Sequence, residues 1–206
     1  MKVKEAVFVK SATVPDDYPR DGYPEIAFAG KSNVGKSSLI NCLVHRRGLA
    51  KTSSAPGKTR LLNFFLVNSA LSLVDLPGYG FSQVPHKIRR RWGAMVETYL
   101  KTRMDLRLVV LLLDIRREPT EQDFQLIEWL RLYRIPSIAV VTKVDKLSRS
   151  KRQRHMQTIR NSLREYDGEV IPFSAVTRDG KARVWEEIMR ACQGKRAECA
   201  TKKVEA

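Results

Sequence analysis

The segment Gly30-Lys31-Ser32-Asn33-Val34-Gly35-Lys36-Ser37 follows the apolar run Ile26-Ala27-Phe28-Ala29 and leads straight into Ser38-Leu39-Ile40-Asn41-Cys42-Leu43. It matches the pattern GxxxxGK[ST], and no other stretch constrains the fold as strongly. Glycines at both ends let the backbone curl so that its N–H groups point inward at phosphate oxygens. The positive end of the following helix lies behind them. Lys36 is then placed to reach the β- and γ-phosphates, and the Ser37 hydroxyl to ligate Mg2+. An ordinary glycine turn is the plain alternative, but it leaves the flanking strand and helix unexplained.

Residues 3 to 9 alternate Val3, Glu5, Val7 and Val9 with Lys4, Ala6 and Phe8, which predicts a strand leading into a turn-rich stretch from Pro15 to Pro24. Leu61 to Val67 and Leu71 to Asp75 are β-rich runs separated by Asn68-Ser69-Ala70, a spacing that suits an antiparallel hairpin. Beyond them, helices are expected at about 87–102, 120–133, 149–166 and 181–192, and strands at about 107–114, 137–142 and 169–173. Met156, Ile159, Leu163 and Tyr166 share one helical face, as do Val184, Trp185, Ile188, Met189 and Cys192. Thr120, just after Pro119 and with Asp123 three residues on, reads as a helix start. This alternation with one early hairpin predicts an α/β fold of three layers: a mostly parallel sheet, helices on both faces, and ligands beyond the carboxyl ends of the strands. At 206 residues and 43% hydrophobic content the chain can bury one substantial core. The expected organisation is an N-terminal strand and connection over 1–22, the main domain over 23–193, and a charged tail over 194–206.

The phosphate loop alone implies a nucleoside triphosphate without naming the base. Asp75-Leu76-Pro77-Gly78 ends the hairpin's second strand, where Asp75 can hold Mg2+ through a water and the Gly78 N–H can sense the γ-phosphate. A bare Asp-x-x-Gly is more often a simple turn, but its position after the strand reverses that judgement. Thr142-Lys143-Val144-Asp145 closes the apolar strand Ile138-Ala139-Val140-Val141. A carboxylate there can accept from guanine's ring N–H and exocyclic amine while the Lys143 stem covers the ring, which selects GTP over ATP. The usual guanine pattern starts with Asn, so Thr142 is a departure expected to weaken the loop's internal hydrogen bonding. Phe173-Ser174-Ala175 could supply a backbone N–H to guanine O6, although such a tripeptide carries little signal alone. Ser53 to Arg60 is polar, loop-like and placed to respond to the nucleotide, with Thr59 the second hydroxyl for Mg2+; a merely flexible connection is the alternative.

The chain carries 38 Lys and Arg against 22 Asp and Glu, a net +16, which favours polyanionic partners: RNA, DNA or acidic membrane. Cys42, Cys192 and Cys199 have no metal-ligand spacing and cannot all pair, which suits a reducing, cytoplasmic setting. His45, His86 and His155 share no metal-ligand spacing either. Met1-Lys2-Val3-Lys4-Glu5 has no apolar run of signal-peptide length, and the longest apolar run, Leu108 to Leu113, reads as a buried strand. A membrane span needs roughly 20 apolar residues, so no anchor is expected.

Together these residues resemble the EngB (YihA/YsxC) family of GTP-binding proteins, Era-like and TrmE-related phosphate-loop GTPases associated with ribosome assembly. The resemblance covers roughly residues 5 to 192 and is most specific at Gly30 to Asn41, Pro56 to Phe65, Asp75-Leu76-Pro77-Gly78-Tyr79-Gly80-Phe81 and Glu118 to Leu130. That family commonly has Thr at the position of Thr142, so the departure counts in favour. The resemblance implies a Ras-like G domain whose sheet has one antiparallel strand. It implies Ser37 and Thr59 as Mg2+ ligands, and Lys36, Thr59 and Gly78 acting at the γ-phosphate. Nucleotide contacts are implied at Gly30 to Ser37, at Gly57, Lys58, Thr59, Arg60 and Leu61, at Asp75 to Gly78, at Thr142 to Asp145, and at Phe173, Ser174 and Ala175. It further implies GTP and GDP as ligands, a role in maturing the large ribosomal subunit through ribosomal RNA and protein, and a requirement in cell division and septation. A monomer is expected.

The residue after Asp-x-x-Gly, a water-positioning Gln in Ras-like proteins, is Tyr79 here, so a side chain of different chemistry is expected at the catalytic position and intrinsic hydrolysis should be slow. Related GTPases with Asn at the position of Asn33 use K+, which makes K+ a candidate cofactor. Lys146, Arg149, Lys151, Arg152, Arg154, Arg160 and Arg164 lie in a stretch with no acid, and Lys87, Arg89, Arg90 and Arg91 follow the Asp75 loop. Two such clusters point to RNA affinity coupled to the GTP state, against the alternative of solvated helix faces. A membrane-recruited division or signalling switch is the rival reading, but no lipidation signal or basic amphipathic anchor supports it.

Overall fold

In chain order the strands are β1 (Ala6–Ala12), β2 (Glu25–Gly30), β3 (Leu62–Val67), β4 (Leu71–Asp75), β5 (Leu106–Asp114), β6 (Ser137–Thr142) and β7 (Val170–Pro172). The helices are α1 (Lys36–Val44), α2 (His86–Thr102), α3 (Glu121–Leu132), α4 (Arg149–Ser162) and α5 (Lys181–Gln193). The structure is a computed structural model that describes residues 1–50, 61–79 and 86–194, the side chains of residues 86–92 excepted. The strands form one sheet in the order β1-β3-β4-β2-β5-β6-β7. Among the described residues β3 alone runs against its neighbours, antiparallel to both β1 and β4, and the remaining pairings are parallel.

That parallel arrangement brings the carboxyl ends of β2, β4, β5 and β6 to one edge. Phe28 pairs with Asp75 across β2 and β4, and Asp114 pairs with Thr142 across β5 and β6, so the loops leaving these strands emerge side by side. The continuous apolar runs of β2 and β5 follow from burial on both faces. Ala27, Ala29, Val109, Leu111 and Leu113 pack toward α2, α3 and α4, while Ile26, Phe28, Leu108, Val110 and Leu112 pack toward α1 and α5. The two expected helix faces are the buried ones: Met156, Ile159 and Leu163 on one side of the sheet, Val184, Trp185 and Ile188 on the other.

Local chemistry accounts for the ends of these elements. Asn68 and Ser69 both take left-handed backbone, φ 52° and 49°, the geometry that joins β3 to β4 in a tight hairpin. At the start of α3, Asp123 Oδ2 accepts from the Thr120 N–H at 2.8 Å and from the Thr120 hydroxyl at 2.7 Å, as the Thr120/Asp123 spacing predicts. The first strand spans Ala6–Ala12 rather than 3 to 9, because a bulge between Phe8 and Lys10 breaks the alternation on which that expectation rested. The helix expected to reach residue 166 ends at Ser162; a further turn, Tyr166 N–H to Leu163 O at 2.9 Å, keeps Tyr166 packed against the same core.

At the opposite edge, Glu25 at the start of β2 is wholly buried. It accepts from the Tyr99 hydroxyl at 2.8 Å and from Arg103 Nη2 and Nε at 2.6 and 2.9 Å, which clasps the end of α2 to the sheet. Burial pushes the Glu25 carboxyl above its usual range, and the Arg103 hydrogen bond works against that shift. No helix among the described residues is long and apolar enough to cross a membrane.

Candidate nucleotide site

The loop from Gly30 to Ser37 leaves the central strand β2 and enters α1 through Gly35, whose φ of 111° suits glycine and strains other residues. Gly30 is also required sterically, since a Cβ there would meet Leu112 O at 2.9 Å. Lys31 forms a parallel bridge with Tyr79. The Ser32 N–H donates to Tyr79 O at 2.9 Å, which seats the turn after β4 against the loop. Gly78 lies close enough that a Cβ would come within 3.2 Å of the Ser32 backbone N. Lys36 and Ser37 occupy the first turn of α1, and the Lys36 ammonium donates to the Asp75 carboxylate at the end of β4. Lys36, Ser37, Asp75 and the turn Leu76-Pro77-Gly78 therefore gather at one edge of the sheet, as the motifs require.

The base-reading segment sits beside them. Lys143 takes left-handed backbone at φ 61°, and its ammonium reaches across to Asn33 O at 2.5 Å and to Asp114 Oδ2 at 2.9 Å. The expectation that Thr142 weakens this loop is corrected by its surroundings. Its buried hydroxyl lies 2.6 Å from Val34 O and 3.0 Å from Leu113 O, tying the base loop to the phosphate loop with one proton to donate. Asp145 is held by the Ser174 hydroxyl at 2.6 Å, and Ser174 in turn accepts from the Val176 and Thr177 N–H groups at 3.1 Å each. Within Phe173-Ser174-Ala175 two N–H groups are engaged, Phe173 to Val141 O at 2.8 Å and Ser174 to Asp179 O at 3.1 Å, so the candidate donor to guanine O6 is Ala175.

Asp114 carried no motif and was not foreseen as part of the site. It sits at the end of β5 and receives Arg116 Nε at 2.9 Å and Nη2 at 2.7 Å, besides Lys143. Burial alone would raise its carboxyl, but the hydrogen bonds from Arg116 and Lys143 prevail and hold it well below the usual carboxylate range. The only sequence signal was its place as the last residue of an apolar strand, one position before a loop.

Tyr79 does not take the place of a catalytic Gln side chain as expected. It is 3% exposed and turned into the core beneath the sheet, where its hydroxyl donates to Asp123 Oδ1 at 2.5 Å. Burial, then the adjoining Asp123 carboxylate, pushes the phenol well above its ordinary pKa. Leu61 stands just before β3, 39% exposed. Gly57, Lys58, Thr59 and Arg60 lie outside the described residues, as do the side chains of Lys87, Arg89, Arg90 and Arg91 and the tail after Gly194.

The donor set fits a hard cation. Ser37 offers a hydroxyl in the first turn of α1 and Asp75 a carboxylate at the neighbouring strand end, both oxygen donors of the kind Mg2+ takes alongside phosphate and water. Among the described residues no group of three or more His, Cys, Asp and Glu side chains is placed to hold a metal.

Comparison with known proteins agrees with this geometry. Residues 25–143 match the family described as 50S ribosome-binding GTPase, and residues 94–194 match the elongation factor Tu GTP binding domain. The chain is 52% identical over 190 residues to a probable GTP-binding protein EngB of Pelobacter propionicus, covering 92% of this chain and 95% of that protein. Identity to the corresponding protein of Geobacter metallireducens is also 52%, over 200 residues, covering 96% and 98%. The crystal structure of a probable GTP-binding protein EngB superposes with a TM-score of 0.65 at 26% identity, covering 82% of this chain and 98% of that one. Era in complex with MgGDPNP and a segment of 16S ribosomal RNA shares the fold, with a TM-score of 0.62 at 18% identity over 82% and 56% of the two chains. On the phosphate loop, the base-reading segment and these relatives together, the chain belongs to the EngB family of GTP-binding proteins, phosphate-loop GTPases that bind and hydrolyse GTP.

Proposed function

We propose that this GTPase is an assembly switch for the large ribosomal subunit and is needed for normal cell division and septation. The observation that carries the reading is the match of residues 25–143 to a family described as 50S ribosome-binding GTPase. The surface of α4 supports it. Arg149, Lys151, Arg154 and Arg160, with Arg164 just beyond its end, are exposed and without ion pairs among the described residues; no acid interrupts α4, and of its basic residues only Arg152 is paired there, to Asp179 at 2.9 Å. This helix begins four residues after Asp145, so RNA phosphates held there would sit next to the base-reading loop.

In this reading Lys36 and the N–H groups of Gly30 to Ser37 hold the phosphates, Asp145 reads guanine under the Lys143 stem, and the Gly78 N–H senses the γ-phosphate. Ser37 and Thr59 would hold Mg2+, with Asp75 reaching it through a water, and the ion would neutralise charge building on the phosphates. Arg60 and Leu61 complete the nucleotide-responsive segment. Residues 23–193 form the nucleotide-binding unit, 1–22 its leading strand and connection, and 194–206 a tail; the protein works as a cytoplasmic monomer. Because no side chain of Tyr79 faces the phosphates, hydrolysis is slow until the ribosomal partner, and K+ held near Asn33, contribute. Equal turnover in sodium and potassium with large subunits present removes K+ from the account.

Sedimentation with purified subunits, in GDP and in a non-hydrolysable GTP analogue at matched salt, tests the main claim. GTP-dependent binding to the large subunit is expected, with affinity falling as salt rises because phosphate contacts release counterions. Binding without nucleotide dependence, or to anionic vesicles instead, defeats it.

A further inference from the structure

We infer that Tyr79 is a positioning residue for the γ-phosphate-sensing turn, anchored by Asp123 at the start of α3. The inference rests on the assignment of Gly78 to the γ-phosphate. A glycine N–H at the tip of a turn has no side chain to hold it, so its placement depends on its neighbours. Tyr79, the next residue, is pinned at both ends. Its carbonyl accepts from the Ser32 N–H at 2.9 Å and from the Ser32 hydroxyl at 3.2 Å, inside the phosphate loop. Its phenol points the opposite way, into the core, and donates to Asp123 Oδ1 at 2.5 Å.

Asp123 is itself immobilised. It is 2% exposed, and its other oxygen accepts from the Thr120 N–H and hydroxyl that start α3. A buried carboxylate that loses one donor keeps an unserved charged oxygen, so the pair resists separation. The turn carrying Gly78 thus hangs between the phosphate loop and α3, and a movement of Gly78 toward or away from a γ-phosphate pulls on the start of α3. The buried phenol would need a partner in any case; what bears on Gly78 is that its partner is fixed to α3 while the same residue's carbonyl is fixed to the phosphate loop.

The test measures affinity for GDP and for a non-hydrolysable GTP analogue, together with Tm, in the full chain. Tyr79→Phe keeps the ring and removes the hydroxyl, and Asp123→Ala removes the acceptor. Each is expected to weaken the GTP analogue relative to GDP about tenfold, the size of a lost charge-assisted hydrogen bond. Asp123→Asn can keep its one oxygen on the phenol while its NH2 faces the Thr120 N–H, so it should preserve the ratio and lower Tm. Thr120→Ala removes the hydroxyl bond to the far oxygen of Asp123 but leaves the backbone N–H bond and the phenol's acceptor, so it should lower Tm and leave the ratio unchanged. Gly78→Ala reports on the underlying assignment, since its Cβ would press on Ser32, and it should lower the ratio of analogue to GDP affinity. If Gly78→Ala lowers that ratio while Tyr79→Phe and Asp123→Ala stay within about twofold of the parent, the positioning role is overturned and the site assignment stands. If Gly78→Ala leaves the ratio at the parental value, the assignment of Gly78 fails and this inference with it.

Discussion

Asp145 and Asp114 are both carboxylates at the carboxyl edge of the sheet, yet they do different work. Asp145 is presented by the Ser174 hydroxyl with an oxygen left to accept from guanine, and Asp145→Asn should therefore shift preference from guanine toward xanthine nucleotides. Competition of labelled GDP by xanthosine diphosphate checks this, and unchanged guanine selectivity would overturn the assignment. Asp114 is instead consumed by Arg116 and Lys143, and its carboxyl is held below its usual range in the folded protein. A carboxyl depressed on folding adds stability above its unfolded pKa of about 3.9 and loses it as pH falls through the folded value. Urea unfolding from pH 6 downward should show a steeper loss in the parent than in Asp114→Asn. The difference should be modest, because Arg116 is 46% exposed and screened by water. At this scale Asp145 was legible because its neighbours form a motif. Asp114 was not, because Lys143, the partner that ties it to the base-reading loop, is 29 positions away and meets it only in three dimensions.

Elements were legible where one periodicity runs unbroken. The run Leu108 to Leu113 reads as a buried strand and lies within β5, because both faces of a parallel strand are covered and the apolar run needs no interruption. Leu111 is wholly buried between β2 and β6 on the face that meets α3, so Leu111→Ala should cost about 2–5 kcal/mol in denaturant unfolding. Guanine selectivity should survive in the folded fraction. The strand expected over 3 to 9 was displaced because a bulge resets the alternation, and its consequence, the exposure of Val7, Phe8 and Val9, shows only in the folded chain. The end of α4 was misplaced for a related reason: the chain continues in turns that keep Leu163 and Tyr166 on the packed side, so the apolar spacing outlasts the helix.

For the molecule as a whole, the site and the main buried charge occupy opposite edges of the sheet. Glu25 begins β2 and Gly30 ends it, so the clasp of Glu25 with Arg103 and Tyr99 stabilises the fold without touching the nucleotide loops. Arg103→Ala leaves a buried carboxylate without its cation and should cost about 3–5 kcal/mol. Urea midpoints check the loss, and GDP affinity measured well below the midpoint should stay at the parental value. A fall in affinity would mean that the far edge and the site are coupled.

Sequence alone determined the phosphate loop, the guanine-reading segment, the alternation of strands and helices and the surplus of positive charge. The first three are local patterns whose chemistry depends on residues close together in the chain, and the last is a sum over composition that needs no fold. Tertiary structure alone decided what those patterns touch. It placed Thr142 against the phosphate loop, recruited Asp114 to hold Lys143, and turned Tyr79 away from the phosphates onto Asp123. These contacts join residues between 29 and 108 positions apart. They arise from the sheet's register, which sets strand ends side by side, and a hydrogen bond depends on that proximity in space rather than on order in the chain.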